Sequence, residues 1–187
     1  MLKKEDIDII IKRLVRMNDN EIYWCLGFFE GQASFTVNIG LSKTKNRRYV
    51  VFKPYICVAN TDSKQINFIK QFLDLKYSRA SKKKKTESFH NETFSLNIQN
   101  FEDIDKILDA ISSYEFKSAI KKERLEKFKV CYTHIKEFGH IHQNWKDEFD
   151  IIISEKLEIN KRRSNINKNR FSAEQWSKKI KEHLGEE

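Results

Sequence analysis

Apolar residues recur every three to four positions in some segments of the chain and every second position in others. The helical spacing occurs in residues 7–15 and in segments that open near positions 18, 62, 100, 118 and 172, each on Asn, Asp or Ser. These residue types cap helix N-termini, so the pattern predicts six helices. Residues 21–31 are apolar on nearly every side, which predicts a buried helix.

Alternating apolar and polar residues predict four strands in two hairpins. The first hairpin comprises residues 34–41 and 49–60, and the second comprises 76–81 and 87–99. The predicted order is αββαββαα, an α+β (α/β) fold with an antiparallel sheet. Residues 149–159 fit either a helix or a strand.

The chain divides by pattern into an N-terminal helix (1–18), a main domain (19–133) and a basic, helical extension (134–187), and we find no internal repeat. Within the extension, the polar basic residues 161–170 are typical of a linker or an arm that contacts phosphates.

The charge of the chain favours a polyanionic partner. Thirty-six Lys and Arg against 27 Asp and Glu give a net charge of +9, and neutralisation of phosphates drives nucleic-acid binding. Acidic residues among the first eight positions argue against a transit peptide. The first apolar run is too short for a signal peptide or a membrane span, so no membrane partner is expected.

Three widely spaced cysteines, Cys25, Cys57 and Cys131, fall in apolar segments, as buried reduced thiols do. They indicate a reducing intracellular compartment, either a prokaryotic cytoplasm or an organelle matrix. Cys131 also lies within twelve residues of His134, His140 and His142. Their spacing matches no common structural zinc site, so neither zinc nor an organic cofactor is expected.

The segment WCLGFFEGQASF, residues 24–35, is the most specific motif in the chain. It resembles the LAGLIDADG signature of homing endonucleases, commonly W-L-A-G-F-I-D-G-E-G-S-F. The family has the same order of helices and strands as the one predicted above. A short motif supports a family resemblance only when its structural context also matches. The resemblance implies the LAGLIDADG fold, an αββαββα core with an antiparallel DNA-binding sheet. The matching residues are Trp24, Gly27, Phe28, Glu30, Gly31, Ser34 and Phe35.

In that family two such helices pack against each other through small residues. One motif per chain therefore implies a homodimer, with Trp24, Gly27, Phe28 and Gly31 at the interface, and a pseudo-palindromic site in double-stranded DNA. The structural alternative is that glycines four apart only let a core helix pack closely. The implied activity is that of an intron- or intein-associated endonuclease, which cuts both strands by phosphodiester hydrolysis with Mg²⁺ or Mn²⁺.

Gln32 is the main departure from the family pattern. It occupies the eighth place of the nine-residue core, where the family has the metal-binding acid, and the resemblance implies that Gln32 and Gly31 face the metal. Glu30, at the sixth place, is a structural acid at the helix end. An amide brings no charge to a metal. Either a glutamate was replaced to hold uncut DNA, or the natural protein is a non-cleaving DNA binder or a group I intron RNA maturase. RNA is a partner only in the maturase case.

Three further polar residues match family active-site positions by resemblance. Asn60 and Lys64 match residues that organise water around the scissile phosphates, and Lys117 matches a lysine that stabilises charge on the reacting phosphate. The alternative for each is a solvated surface residue.

Alternation places the polar side chains of both hairpins on one face of the sheet, where short polar residues and arginine suit base edges in the major groove. Basic residues at the hairpin tips and in 161–170 suit phosphates, with ordinary solvated turns as the alternative. The residues expected at bases are Ser34, Thr36, Asn38, Lys53, Tyr55, Cys57, Arg79, Thr93, Ser95 and Asn97. Those expected at phosphates are Lys43, Lys45, Asn46, Arg47, Arg48, Lys82, Lys83, Lys84, Lys85, Arg162, Arg163, Lys168 and Arg170.

Overall fold

The computed structural model describes residues 19–83, 92–112, 114–160 and 171–186. The predicted N-terminal helix, 1–18, lies outside them. The described elements are, in chain order, α1 (Asp19–Gln32), β1 (Ala33–Lys43), β2 (Arg48–Asn60), α2 (Ser63–Phe72), β3 (Arg79–Lys83), β4 (Thr93–Ile98), α3 (Phe101–Ile111), α4 (Ala119–Phe138), β5 (Ile141–His142), α5 (Glu148–Asn160) and α6 (Ala173–Leu184). The predicted α+β order is confirmed.

The four long strands form an antiparallel sheet in the order β1-β2-β4-β3. The first hairpin pairs from Ala33 with Val58 to Lys43 with Arg48, so its turn is only 44–47. The two hairpins meet through β2 and β4, which places one strand of each at the centre of the sheet. The edges of this four-strand path are β1 and β3.

One face of the sheet, called here the inner face, carries the core. Most residues of even number in β2 and β4, and the odd-numbered residues 33–37 of β1, are buried on it, as the period-two pattern predicts. Phe128 of α4 packs on this face, 5.7 Å from the ring of Phe35. The inner-face residues include Phe35, Val37, Phe52, Ile56, Val58, Leu96 and Ile98.

Polar caps begin the helices where the sequence predicts them. Asp62 and Asn100 accept hydrogen bonds from backbone amides two residues ahead, and Ser118 accepts one from three residues ahead. Ser172 forms a reciprocal capping box with Gln175. Residues 149–159, whose sequence pattern fits either a helix or a strand, lie in the helix α5. No helix within the described ranges has the length and apolar content needed to cross a bilayer.

The C-terminal helices share the core of the sheet. α4 runs past the predicted boundary at 133 to Phe138, so this boundary falls inside a helix. Ile153 of α5 and Ile180 of α6 are fully buried in the same cluster as the inner-face residues. The segment that follows α4 contains β5, which pairs with β2 at Val50 and Val51. The described part of the extension is thus packed onto the main domain.

A buried aspartate fixes the start of the second hairpin. Asp103 of α3 is 0% exposed and accepts hydrogen bonds from the backbone amides of Lys76 and Tyr77, at 3.0 and 2.9 Å, and from the Ser78 hydroxyl at 2.6 Å. Buried carboxylates need such partners to offset desolvation. Asp103 therefore sets the position of β3, and with it Arg79.

Candidate functional site

The end of α1 is tied to the start of α4 through Glu30. Its carboxylate accepts hydrogen bonds from the backbone amide of Ser118, at 2.6 Å, and from the Tyr114 hydroxyl, at 3.0 Å. The amide of Ser118 contributes most to lowering the pKa of Glu30. The N-terminus of α4, which begins at the Ser118 cap, also favours an anion there. Glu30 is therefore ionised and engaged in contacts that join two elements, which fits the expected structural acid.

Two lysines lie at the same end of α1. Lys117, exposed in the loop before α4, lowers the pKa of Glu30 through its backbone amide and its charge. The Lys121 ammonium donates to the backbone carbonyl of Ala33, the residue after α1, and cations are favourable at helix C-termini. The structure thus brings Lys117 to the end of the motif helix. Lys121 could not be picked out from the sequence, because no local pattern separates it from its neighbour Lys122.

Gln32 is the last residue of α1, and both it and Gly31 are exposed. The Gln32 amide oxygen and the Gly31 carbonyl are oxygen ligands of the type that Mg²⁺ accepts, but neither carries charge. The adjacent carboxylate, Glu30, is already bound by Ser118 and Tyr114. The residues present therefore fit a divalent cation by ligand type but not by charge, and do not fit a tightly held Mg²⁺.

Asn60 and Lys64 occupy the turn between β2 and α2. The Asn60 side chain accepts a hydrogen bond from the Asp62 amide at 2.8 Å and so shapes this turn. Lys64 lines a hollow of about 370 Å³ together with Trp24 and other residues of the first half of α1. Gln32 is at the other end of that helix, about 18 Å along its axis from Asn20. Lys64 is thus placed beside the start of α1 rather than its end.

One side of α1 is uncovered in the single chain. Cys25, Leu26 and Phe29 are buried, but Tyr23 is 67% and Trp24 is 40% exposed. The prediction that α1 is buried on nearly every side is therefore wrong for one chain, because the core covers only part of its apolar surface.

The uncovered side includes both motif glycines. A Cβ atom built at Gly27 or Gly31 meets no atom within 4 Å. Phe28 is half-buried and packs on the Trp24 ring, with centroids 5.1 Å apart. We call Trp24, Gly27, Phe28 and Gly31 the α1 stripe. It coincides with the predicted dimer interface and leaves room for close approach of another helix.

The face of the sheet opposite the core, called here the outer face, is mostly polar. The register aligns Ser34, Cys57, Asn97 and Arg79 in one row across all four strands. Asn38 and Lys53 are exposed partners in the first hairpin. Burial agrees with the predicted face for most of these residues, but Ser95, which was expected to face away from the core, is buried.

Several predicted base-contacting residues of the outer face are already engaged, Ser95 and Thr36 among them. Ser95 is 1% exposed, and its hydroxyl lies 3.0 Å from that of Ser81. Thr36 accepts a hydrogen bond of 3.3 Å from Asn160 at the end of α5, which borders this edge of the sheet. Their side chains are less available than those of Asn38, Lys53 and Arg79, which are exposed.

The basic tip of the first hairpin is exposed at every position from 43 to 48. Arg48 also donates to the backbone carbonyl of His183 in α6, at 3.5 Å. In the second hairpin, Lys82 pairs with Phe94 and therefore lies on the inner-face side, where its ammonium is 2.7 Å from Glu92. The remaining basic positions fall outside the described side chains: Lys83, Lys84, Lys85, Arg162, Arg163, Lys168 and Arg170.

The cysteine and histidines near position 135 take part in packing. Cys131 is fully buried and its thiol faces the Ile152 carbonyl at 3.7 Å; burial raises its pKa to about 12. The His142 ring packs against Phe52 and Phe149, and burial lowers its pKa. Within the described ranges, no three His, Cys, Asp or Glu side chains are close enough to hold a metal ion.

These features define an α+β protein that exposes a polar sheet face and, on its first described helix, an apolar stripe that the rest of the chain leaves uncovered. The model of the LAGLIDADG endonuclease family matches residues 25–132, more than half of the chain. The chain therefore belongs to the LAGLIDADG endonuclease family. No curated protein matches it.

Solved structures of homing endonucleases have the same fold. The archaeal intron-encoded homing endonuclease I-Vdi141I, complexed with DNA, superposes with a TM-score of 0.67 at 17% identity, covering 89% of this chain and 98% of that one. The group I intron-encoded I-CeuI, also complexed with DNA, gives 0.63 at 20% identity, covering 86% and 76%. I-SmaMI, bound to uncleaved DNA in the presence of calcium ions, gives 0.52 at 26% identity, covering 74% of this chain and 44% of that one.

Proposed function

We propose that the chain is one subunit of a homodimeric, site-specific DNA endonuclease that recognises a long pseudo-palindromic duplex, and that Gln32 leaves it able to bind but slow to cut. The observation that carries the proposal is the outer face, a polar surface that spans four strands and has Arg79 and Lys53 exposed on it. The net charge of +9 supports a polyanionic ligand.

The outer face suits the major groove of DNA. A two-stranded ribbon fits this groove, and arginine, asparagine and serine have hydrogen-bonding groups that match base edges. The tip 43–48 closes the far end of the first hairpin and has exposed basic side chains, which suits contacts with the phosphate backbone. Position along the groove would therefore be set by the tip, and sequence preference by the sheet.

The α1 stripe supports assembly of two copies. A twofold axis through this stripe brings together two motif helices and gives the pair two outer faces, one for each half of a symmetric site. Each α1 end, with Lys117 and Lys121 nearby, then lies close to the axis.

A divalent metal in such an enzyme supplies Lewis acidity and an activated water for phosphodiester hydrolysis. In this chain, the proposed contribution of Lys117 is to place positive charge near the scissile phosphate. Glu30 holds the end of α1 against α4. Gln32 lacks the charge that a carboxylate at this place would bring, which is why we propose binding without efficient cleavage.

Gln32 also favours a second candidate function, a member of the same family that does not cut and acts as a DNA binder or an intron RNA maturase. The two candidates differ in their preferred ligand and in the response to a carboxylate at position 32. A maturase should bind structured RNA more tightly than any duplex DNA at the same salt concentration.

The proposal predicts different roles for the tip and the sheet in DNA binding. Removing two charges from each subunit, four from the dimer, with Lys45→Ala and Arg47→Ala should weaken binding to all duplexes alike and reduce the slope of log affinity against log salt by roughly three to four. Arg79→Ala should instead reduce discrimination at one base pair per half-site, by about tenfold. Fluorescence anisotropy over a range of salt concentrations measures both effects. Equal loss of base discrimination from the tip changes would contradict this division.

A further inference from the structure

Asn97 is held between two neighbours on the outer face. It lies on β4, between β2, which carries Tyr55, and β3, which carries Ser81. The Tyr55 hydroxyl donates to the Asn97 side-chain oxygen, and the Asn97 side-chain nitrogen donates to the Ser81 hydroxyl at 3.0 Å. Tyr55 and Ser81 are diagonal neighbours of Asn97 in the register, and they lie on opposite sides of its amide.

These contacts define the orientation of the amide. Burial raises the pKa of Tyr55 to about 12, so its hydroxyl stays protonated and acts as a donor. Ser81 is itself held by the Ser95 hydroxyl at 3.0 Å. Exchanging the amide oxygen and nitrogen of Asn97 would require both partners to rearrange their hydrogens. The neighbours therefore favour one orientation.

The held amide keeps hydrogen-bonding capacity on its outer edge. An asparagine oxygen has two acceptor sites and its nitrogen has two hydrogens, and the two contacts use one of each. Side chains in strands stand roughly perpendicular to the sheet, so the remaining acceptor and donor face away from it, side by side. Adenine offers the matching pair in the major groove, a donor at N6 and an acceptor at N7.

We propose that Asn97 recognises an adenine in the major groove, and that Tyr55 and Ser81 are positioning residues that orient its amide for this base. The inference rests on the proposed function, because it requires the outer face to bind duplex DNA. It adds the identity of a base and the side chains that select it. Asn38 on β1 is also an asparagine of the outer face, and it is exposed.

The test begins with selection of preferred sites by the unaltered chain from a randomised double-stranded DNA library. Selection is then repeated with Asn97→Asp, Asn97→Ala and Tyr55→Phe. Asn97→Ala should abolish an adenine preference at one position per half-site and weaken binding to the original site by about tenfold or more. Asn97→Asp has only acceptors and should shift that position toward cytosine. Tyr55→Phe keeps the ring but frees the amide, so the same position alone should become less selective.

Tyr77→Phe is the matched control, because Tyr77 is 58% exposed in the loop before β3 and should leave every base preference unchanged. The slope of log affinity against log salt should stay the same in Asn97→Ala and Tyr55→Phe, since neither removes a charge. A variant that has lost its fold would also lose phosphate contacts and would show a smaller slope. Unchanged base preferences in both Asn97 variants would overturn this inference but not the proposed function. Failure of the unaltered chain to select any duplex would overturn the proposed function and the inference together.

Discussion

Replacing Gly27 with leucine is expected to convert a dimeric protein into monomers that keep the fold of the single chain. A Cβ at this position meets no atom within 4 Å, so the added side chain fits within one copy. Leucine also has a higher helix propensity than glycine, which should preserve α1. Two helices that approach closely at this point would instead be pushed apart. Affinity for a twofold site should then fall by about 10²- to 10⁴-fold, because both half-sites are no longer bound together.

Sedimentation velocity and anisotropy measure the two consequences of Gly27→Leu. Ser154→Leu is the matched control, since it adds the same side chain at an exposed position on α5. It should remain dimeric and bind normally. A Gly27→Leu protein that sediments as a dimer and binds its site with unchanged affinity would show that the α1 stripe is not the interface.

Gln32→Glu is expected to produce Mg²⁺-dependent cutting of both strands in a duplex that the unaltered chain only binds. The exchange is nearly isosteric and adds one negative charge at the exposed end of α1, where the Gln32 amide and the Gly31 carbonyl offer none. The site lacks a negative charge to hold a divalent cation. Adding one should therefore increase the rate of DNA cleavage by roughly 10²- to 10³-fold. Affinity for DNA in the absence of metal should change little.

Gel analysis of cleavage products over a series of Mg²⁺ and Mn²⁺ concentrations checks this expectation. Gln71→Glu adds the same charge at an exposed position on α2 and should leave cutting unchanged. Adding Lys117→Ala to Gln32→Glu should lower the cutting rate without lowering affinity. If Gln32→Glu binds tightly yet leaves both strands intact at every metal concentration, the endonuclease function should yield to the non-cleaving alternative.

Features set by local sequence were predictable. Capping residues such as Asp62, Asn100 and Ser118 act within three positions, and each begins its helix where expected. The two faces of the sheet follow from period-two alternation, because one buried face fixes the orientation of every side chain in a strand.

Features set by contacts between distant residues were not predictable in the same way. Glu30 meets Ser118 across 88 positions of the chain, and Asp103 meets Lys76 across 27. Lys82 was expected in the basic tip, and only the pairing of β3 with β4 shows that the strand includes it, on the side opposite Arg79. α1 likewise carries more apolar residues than the core of one chain covers, and the sequence does not show which of them stay uncovered.

Site selection by the unaltered chain tests whether the protein recognises a twofold-symmetric DNA sequence. The protein would be mixed with a randomised double-stranded DNA library, and bound duplexes would be amplified and sequenced over several rounds, with structured RNA added as competitor. Two half-sites related by inversion should be enriched, and RNA should not displace the selected duplex. Absence of any enriched duplex sequence, or preferential retention of the RNA, would contradict a function in sequence-specific DNA binding.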